Sequence, residues 1–196
     1  MNIGPQKSAK AYALKPSSSL TRHFEEIGSS YKGPILDVPS GSGRNSLFFQ
    51  ARGCHVVCVD NNFTALQSSF ELSQRNAALA ELQGNMNQAK GRLSPVWIDL
   101  SKGQWPFRSN VFGAIINVHF VMPELFKFFQ HSLMPGGYLF CETFGGQGEN
   151  YLQLPKPGEW KVVLESWLEI KRYEEKIVGP ISDPAVTVKV FGRKSG

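Results

Sequence analysis

The sequence has 196 residues, of which 41% are hydrophobic and 19% are charged, and its formal net charge is +5. This length predicts a single domain, and the composition excludes a chain that is disordered throughout, because such chains are poor in apolar residues. No apolar run reaches the roughly 18 residues that a membrane-spanning helix needs, so we expect no membrane association.

The distribution of charge and of cysteine bears on partners and compartment. Basic residues are spread along the chain without a run of five or more like charges, so a nucleic-acid partner is not expected. The N-terminus lacks the apolar segment of a signal peptide, and three cysteines are too few for a disulfide framework. We therefore expect a cytoplasmic protein. Cys54 and Cys58 have His55 between them, but further zinc ligands are missing, which favours buried thiols.

Strand-like and helix-like segments alternate along most of the chain. Hydrophobic periodicity, capping residues and Gly or Pro breaks give the boundaries. Helices are predicted at 20–27, 43–52, 63–82, 122–133 and 157–166, strands at 34–38, 55–60, 95–99, 111–117 and 138–143, and a polar loop at 84–94. This alternation predicts parallel strands joined by helical crossovers, which is a doubly wound α/β sheet.

The C-terminal end departs from this alternation. Segments 167–178 and 185–191 both have the composition of strands, and only six residues separate them. A parallel crossover needs a dozen or more residues, so these two strands must pair antiparallel. The predicted fold is therefore an α/β, Rossmann-like, mostly parallel sheet with an antiparallel C-terminal strand.

The most informative run is ILDVPSGSGRNS at 35–46, which predicts a strand, a tight glycine turn and the start of a helix. Ligands of doubly wound sheets bind at this place, beyond the carboxyl ends of the strands. Gly41 and Gly43 allow the backbone to approach a ligand without interference from a Cβ atom.

Three acidic residues stand at the ends of three consecutive predicted strands. Asp37 precedes the glycine turn, Asp60 ends the next strand and Asp99, followed by Leu100, ends the third. Such carboxylates suit a positively charged nucleoside without phosphate, since one of them can accept hydrogen bonds from ribose hydroxyls. The alternative is that each acid only caps a helix or a turn. A dinucleotide is less well matched, because Ser46 replaces the third glycine of its motif, and no P-loop motif occurs.

With these motifs the sequence resembles class I S-adenosylmethionine-dependent methyltransferases. Within that superfamily it is similar to the tellurite-resistance methyltransferases and related small bacterial enzymes. The similar features are GRNSL at 43–47, IDL at 98–100, PGGY at 135–138 and a terminal strand that ends in basic residues, and the resemblance covers residues 33–194. It implies a seven-stranded sheet whose last strand is inserted antiparallel, with S-adenosylmethionine as cofactor and S-adenosylhomocysteine as product.

The resemblance also implies residue roles. Asp60 is expected at the ribose, Asp99 and Leu100 at the adenine, and Asn117 near the methionine amino group. The expected neighbours of the methionine part are Asp37, Gly41 and Gly43, and the further expected cofactor contacts are Pro39, Ser40, Arg44, Asn45 and Asn61. Pro39 takes the place of the family's first glycine, and proline removes a backbone N–H at that turn.

The acceptor side is less well defined. His119, just beyond the fourth predicted strand, is the candidate catalytic base, and the alternative is a structural histidine packed among its apolar neighbours. Asn150 and Tyr151, in a loop over 145–151 expected to be mobile, are candidate substrate contacts. Residues 1–32 are expected to form a helical lid segment before the methyltransferase domain at 33–196. No metal site is expected.

A small-molecule acceptor is favoured, because the signatures of DNA-amino and cytosine methyltransferases are absent and the sheet uses nearly the whole chain. The acceptor atom stays open between oxygen, nitrogen, sulfur and a metalloid oxyanion, and so does the oligomeric state. Two alternatives to a methyltransferase remain. One is a non-catalytic protein of the same fold that binds an adenosyl ligand, and the other is an NAD(P)-dependent oxidoreductase.

Overall fold

The computed structural model describes residues 15–29 and 32–196, and a single mixed sheet forms its centre. Because the inner strands are rich in apolar residues, they suit a sheet that is buried on both faces, whereas the two edge strands carry many exposed residues. The seven strands are β1 (Ile35–Asp37), β2 (His55–Asp60), β3 (Arg92–Trp97), β4 (Phe112–Val118), β5 (Leu133–Glu142), β6 (Leu168–Val178) and β7 (Ala185–Lys194).

The strand order is β3-β2-β1-β4-β5-β7-β6. Strands β1 to β5 pair parallel, whereas β7 lies antiparallel between β5 and β6. The predicted fold class, including the inserted C-terminal strand, is therefore confirmed. The parallel part brings the carboxyl ends of β1 to β4 to one edge of the sheet.

Helices cover both faces of the sheet. They are α1 (Ser18–Thr21), α2 (Phe24–Ser29), α3 (Arg44–Gln50), α4 (Phe63–Leu82), α5 (Met86–Ala89), α6 (Phe126–Ser132) and α7 (Glu159–Glu165). Leu20, Phe49 and Phe140 belong to the core on the side of α1 to α4, and Phe129 and Trp160 belong to the core on the opposite side. None of the helices in the described part of the chain is long and apolar enough to cross a membrane.

The structure corrects some predicted boundaries. The predicted helix at 20–27 is divided into α1 and α2. The predicted polar loop at 84–94 is wrong, because it contains α5 and the first three residues of β3. Strand β3 lies at the edge of the sheet, and only Leu93 of its six residues is buried, so exposed polar residues such as Arg92 belong to it. Strand β5 likewise begins at Leu133, five residues before the predicted start at 138.

Part of the predicted lid segment is present in the described structure. Helices α1 and α2 lie within residues 1–32 and pack on the sheet through the buried side chains of Leu20 and Ile27. Residues 1–14 and 30–31, which belong to the same predicted segment, lie outside the described residues. The division of the chain at residue 32 therefore stays a prediction.

Candidate functional site

The turn between β1 and α3 depends on its glycines. Gly41 and Gly43 have φ angles of +53° and +77°, in the left-handed region that favours glycine. A Cβ atom on Gly43 would lie 2.6 Å from Cβ of Ser69 in α4, whereas one on Gly41 would meet no atom within 4 Å. Gly43 is therefore required for the packing of α3 against α4, and Gly41 only for the backbone conformation.

Asp60, at the end of β2, holds this turn in place. One carboxylate oxygen accepts a hydrogen bond of 2.7 Å from the backbone N–H of Gly41, and the other accepts one of 2.8 Å from that of Asn62. Each carboxylate oxygen can accept more than one hydrogen bond. Asp60 therefore keeps acceptor capacity for a ligand although the residue is only 8% exposed.

A cavity of about 360 Å³ lies at the carboxyl ends of β1 to β4. It combines two carboxylates with apolar walls, which suits an aromatic base attached to a hydroxylated sugar. Its lining residues are Pro39, Asp60, Asn61, Ile98, Asp99, Leu100, Ser101, Phe120 and Met122. Five of these nine were predicted from the sequence as cofactor contacts, and Ile98, Ser101, Phe120 and Met122 were not.

Asp99 is held in its ionised form. Its Oδ1 accepts hydrogen bonds from the backbone N–H of Ser101, at 3.1 Å, and from the Ser101 hydroxyl, at 2.6 Å. These hydrogen bonds lower the pKa of Asp99 below its ordinary value. Both acids in the cavity therefore oppose the entry of a phosphate and favour a ligand that donates hydrogen bonds or carries positive charge.

Four predicted cofactor residues are buried and do not line this cavity. Asp37 is fully buried and accepts a hydrogen bond of 2.5 Å from the Ser46 hydroxyl. Desolvation raises its pKa to about 7. Asn117 donates to the backbone carbonyl of Val38 at 2.8 Å. The other two, Ser40 and Asn45, are also buried. Asp37 and Asn117 thus hydrogen-bond to residues on either side of the turn. The predicted cofactor contacts of all four residues stay predictions.

His119 directly follows β4 and has a left-handed backbone, with φ at +60°. Its N–H donates to the carbonyl of Glu142 at 2.7 Å, and its Nδ1 lies 3.4 Å from a guanidinium nitrogen of Arg44. The side chain is exposed, which contradicts the alternative of a histidine packed in the core. Desolvation by nearby protein atoms, followed by the charge of Arg44, lowers the pKa of His119, which favours the neutral ring.

A polar cluster beside His119 was missed by the sequence analysis. Glu142, the last residue of β5, accepts a hydrogen bond of 2.5 Å from the Ser17 hydroxyl and lies 3.2 Å from the ammonium group of Lys189. Lys189 also donates to the Ser19 hydroxyl at 2.7 Å. Glu142 stands at a strand end, as the predicted site acids do. That position is the signal that could have identified it.

The predicted substrate contacts lie elsewhere. Asn150 and Tyr151 belong to a 3₁₀ helix, Gly148–Gln153. The prediction of a loop over 145–151 is therefore wrong for residues 148–151. The Tyr151 ring lies against Gly179, at the turn between β6 and β7. A Cβ atom added to Gly179 would be only 2.7 Å from Cδ2 of Tyr151. Neither residue lines the cavity described above, so contact with a substrate stays a prediction.

Comparisons with known proteins give structural relatives only. No family model matches the sequence, and none of the curated proteins compared with it matches either. An S-adenosylmethionine-dependent methyltransferase from Methanosarcina mazei is 20% identical, with a TM-score of 0.60 over 87% of this chain and 97% of that chain. TehB from Haemophilus influenzae, a tellurite-resistance methyltransferase, is 17% identical, with a TM-score of 0.64 over 90% of this chain and 62% of that chain.

The same architecture also occurs in a protein named for another reaction. The [4+2]-cyclase SpnF is 15% identical, with a TM-score of 0.59 over 97% of this chain and 85% of that chain. At these identities the similarity shows the fold alone. The predicted resemblance to the class I methyltransferase fold is thereby confirmed, and the activity must be argued from the site.

Proposed function

We propose that the protein is an S-adenosylmethionine-dependent methyltransferase that acts on a small-molecule acceptor. The observation that carries this proposal is the position of Asp60. It lines the cavity at the end of β2 and at the same time accepts a hydrogen bond from the glycine turn after β1. This arrangement suits a ribose beside the turn. The methyltransferases among the structural neighbours support the same reading.

The residues of the cavity fit the adenosyl group. Asp60 would accept hydrogen bonds from the ribose hydroxyls, and Asp99 with the backbone of Leu100 would meet the edge of the base. Ile98, Phe120 and Met122 supply apolar surface for its faces. When bound, the cofactor supplies a methyl group on a positively charged sulfur, and the acidic lining is electrostatically complementary to that charge.

The contribution of this chain is mainly positioning. Holding two reactants in an attack geometry can supply on the order of 7–11 kcal/mol of the barrier reduction. Apolar residues of the lining, such as Phe120 and Met122, would displace water from the bound ligand. His119 stands beside the turn, and the lowering of its pKa favours the neutral ring. A hydroxyl or amine acceptor would have to lose a proton, and the sequence predicted His119 as the base for that step.

The similarity to SpnF supports the alternative of a different reaction on the same fold, and a non-catalytic protein that binds an adenosyl ligand is a second alternative. Calorimetry with S-adenosylhomocysteine and with NADH, followed by a metabolite-extract screen with methyl-labelled cofactor, separates these functions. We expect the first ligand to bind, NADH to give no signal, and one small molecule to gain the label. Cofactor binding without any labelled product would favour the non-catalytic alternative, and tight NADH binding without a signal from S-adenosylhomocysteine would overturn the proposal.

A further inference from the structure

Arg44, the first residue of α3, has an unusual set of partners for a half-buried guanidinium group. Its hydrogen-bond partner is Nδ1 of His119 at 3.4 Å. Among the residues that the structure describes, no carboxylate forms an ion pair with it. A guanidinium group has five N–H donors and no acceptor, and its usual partner is the carboxylate or phosphate that matches its planar fork.

The nearby acids have other partners. The Glu142 carboxylate accepts from Ser17 and pairs with Lys189. Asp37 is fully buried and accepts from the Ser46 hydroxyl. Lys189 is offset by Glu142. Arg44 acts electrostatically on the buried Asp37, but no carboxylate among the described residues forms an ion pair with its guanidinium group.

The contact with Arg44 also determines which nitrogen of His119 carries the proton. Because a guanidinium group can only donate, Nδ1 of His119 must accept. A neutral imidazole that accepts at Nδ1 has its hydrogen on Nε2, so the free end of the ring is a donor. The groups that face His119 are Arg44, Glu142 and Lys189. Arg44 and His119 therefore offer donors to a ligand and no acceptor.

We propose that Arg44 and His119 together bind a carboxylate, with His119 donating from Nε2 and not acting as a base. We assign that carboxylate to the acceptor substrate, and in this the proposal rests on the proposed function; the amino-acid end of the cofactor is the alternative that calorimetry separates. For a carboxylate acceptor, the new C–O bond forms as the C–S bond breaks and the bonding pair stays on sulfur. An anionic oxygen releases no proton in this step, so no base is needed.

The tautomer and the anion site are tested first, in the protein without cofactor. Long-range ¹H–¹⁵N spectra of the four histidines, with His119 assigned by His119→Gln, should show Nε2–H and an unprotonated Nδ1 at pH 8. Sodium acetate should shift the His119 signals and acetamide should not. Arg44→Met should abolish the acetate effect, and Arg108→Met, which removes an exposed arginine, should leave it. A proton on Nδ1, or signals that acetate does not move, would overturn the proposal.

Calorimetry then separates the two sources of the carboxylate. S-Adenosylhomocysteine carries the amino-acid carboxylate, and 5′-methylthioadenosine lacks it. If Arg44 binds the cofactor instead, Arg44→Met should weaken the first ligand at least tenfold and spare the second, and the assignment to the acceptor would be overturned. If Arg44 binds the acceptor, both nucleosides should bind as in the wild type. Equal weakening of both, in a variant with an unchanged melting temperature, contradicts a carboxylate site. If neither ligand binds the wild-type protein, that result counts against the proposed function. The acetate experiment uses no cofactor, so it still tests the carboxylate site on its own.

Discussion

Asp60 accepts a hydrogen bond of 2.7 Å from the backbone N–H of Gly41, so the end of β2 holds the turn that follows β1. The same carboxylate lines the candidate cofactor cavity. A ligand that hydrogen-bonds to Asp60 therefore meets a group whose position is already fixed by the backbone. Such preorganisation lowers the entropy that binding would otherwise cost.

Asp60→Ala should weaken the binding of S-adenosylhomocysteine at least tenfold. A hydrogen bond to a charged group contributes roughly 1.5–3 kcal/mol, and the variant would lose those to the ribose hydroxyls. Calorimetry measures the change, and a thermal melt confirms that the variant is folded. Asp183→Ala is the matched control, because Asp183 pairs with Lys156 outside the cavity. A folded Asp60→Ala protein with the wild-type dissociation constant would exclude Asp60 from the site.

The two glycines of the turn should differ in their tolerance of alanine. Both substitutions place an L residue in the left-handed region, which costs about 1–2 kcal/mol. Gly43→Ala should cost a further 1–3 kcal/mol or so, because its Cβ would overlap the Ser69 side chain, 2.6 Å away. Urea unfolding of the two variants measures the difference, and each is the control of the other. Equal losses of stability in the two variants would show that α4 shifts to make room for the added Cβ atom.

Trp97 should act as a positioning residue for the cavity. Its indole N–H donates to the backbone carbonyl of Asn61 at 2.9 Å, and Asn61 lines the cavity. Trp97→Phe removes a hydrogen bond worth about 0.5–1.5 kcal/mol, so affinity for S-adenosylhomocysteine should fall roughly two- to tenfold.

Trp105→Phe provides the control for this change. Trp105 donates a comparable hydrogen bond of 2.8 Å to the Ser132 hydroxyl, and neither residue lines the cavity. This variant should lose stability in a thermal melt without losing affinity in calorimetry. If both variants lose the same affinity, the effect of Trp97 is one of general stability.

Most of the predictions that the structure confirms came from patterns among residues close together in the sequence. The alternation of strands and helices, the six-residue connection before β7 and the acids at strand ends are each visible within a dozen residues, and the structure brings Asp60 and Asp99 into one cavity. Contacts between distant segments could not be predicted in this way. Ser17 and Glu142 are 125 residues apart, and Arg44 and His119 are 75 apart. Their pairing depends on how α1, α3 and the ends of β4 and β5 come together.

Asp37 should make the stability of the protein depend on pH. Desolvation raises its pKa from 3.8 to about 7, so the folded state binds a proton more tightly than the unfolded state. The stabilisation is therefore fully present below about pH 4 and is lost as the pH rises through about 7. Over that range the free energy of unfolding should fall by up to roughly 4 kcal/mol relative to Asp37→Asn, which cannot ionise. Urea unfolding from pH 4 to 8 measures this difference, and parallel curves for the two proteins would contradict it.

Ser17 should anchor α1 to the edge of the sheet that carries the site. Its side-chain oxygen accepts from the backbone N–H of Leu20 as an N-cap and donates to the Glu142 carboxylate. Ser17→Ala removes the cap, worth about 0.5–2 kcal/mol, and leaves a largely buried carboxylate without one donor, at about 1–3 kcal/mol. The variant should therefore lose about 1.5–5 kcal/mol in urea unfolding, the sum of the two effects, and the amides of α1 should exchange hydrogen faster. Ser18→Ala, at the adjacent exposed position, should change stability by less than about 0.5 kcal/mol. If the two alanine variants unfold at the same urea concentration, the contact between Ser17 and Glu142 does not hold α1 in place.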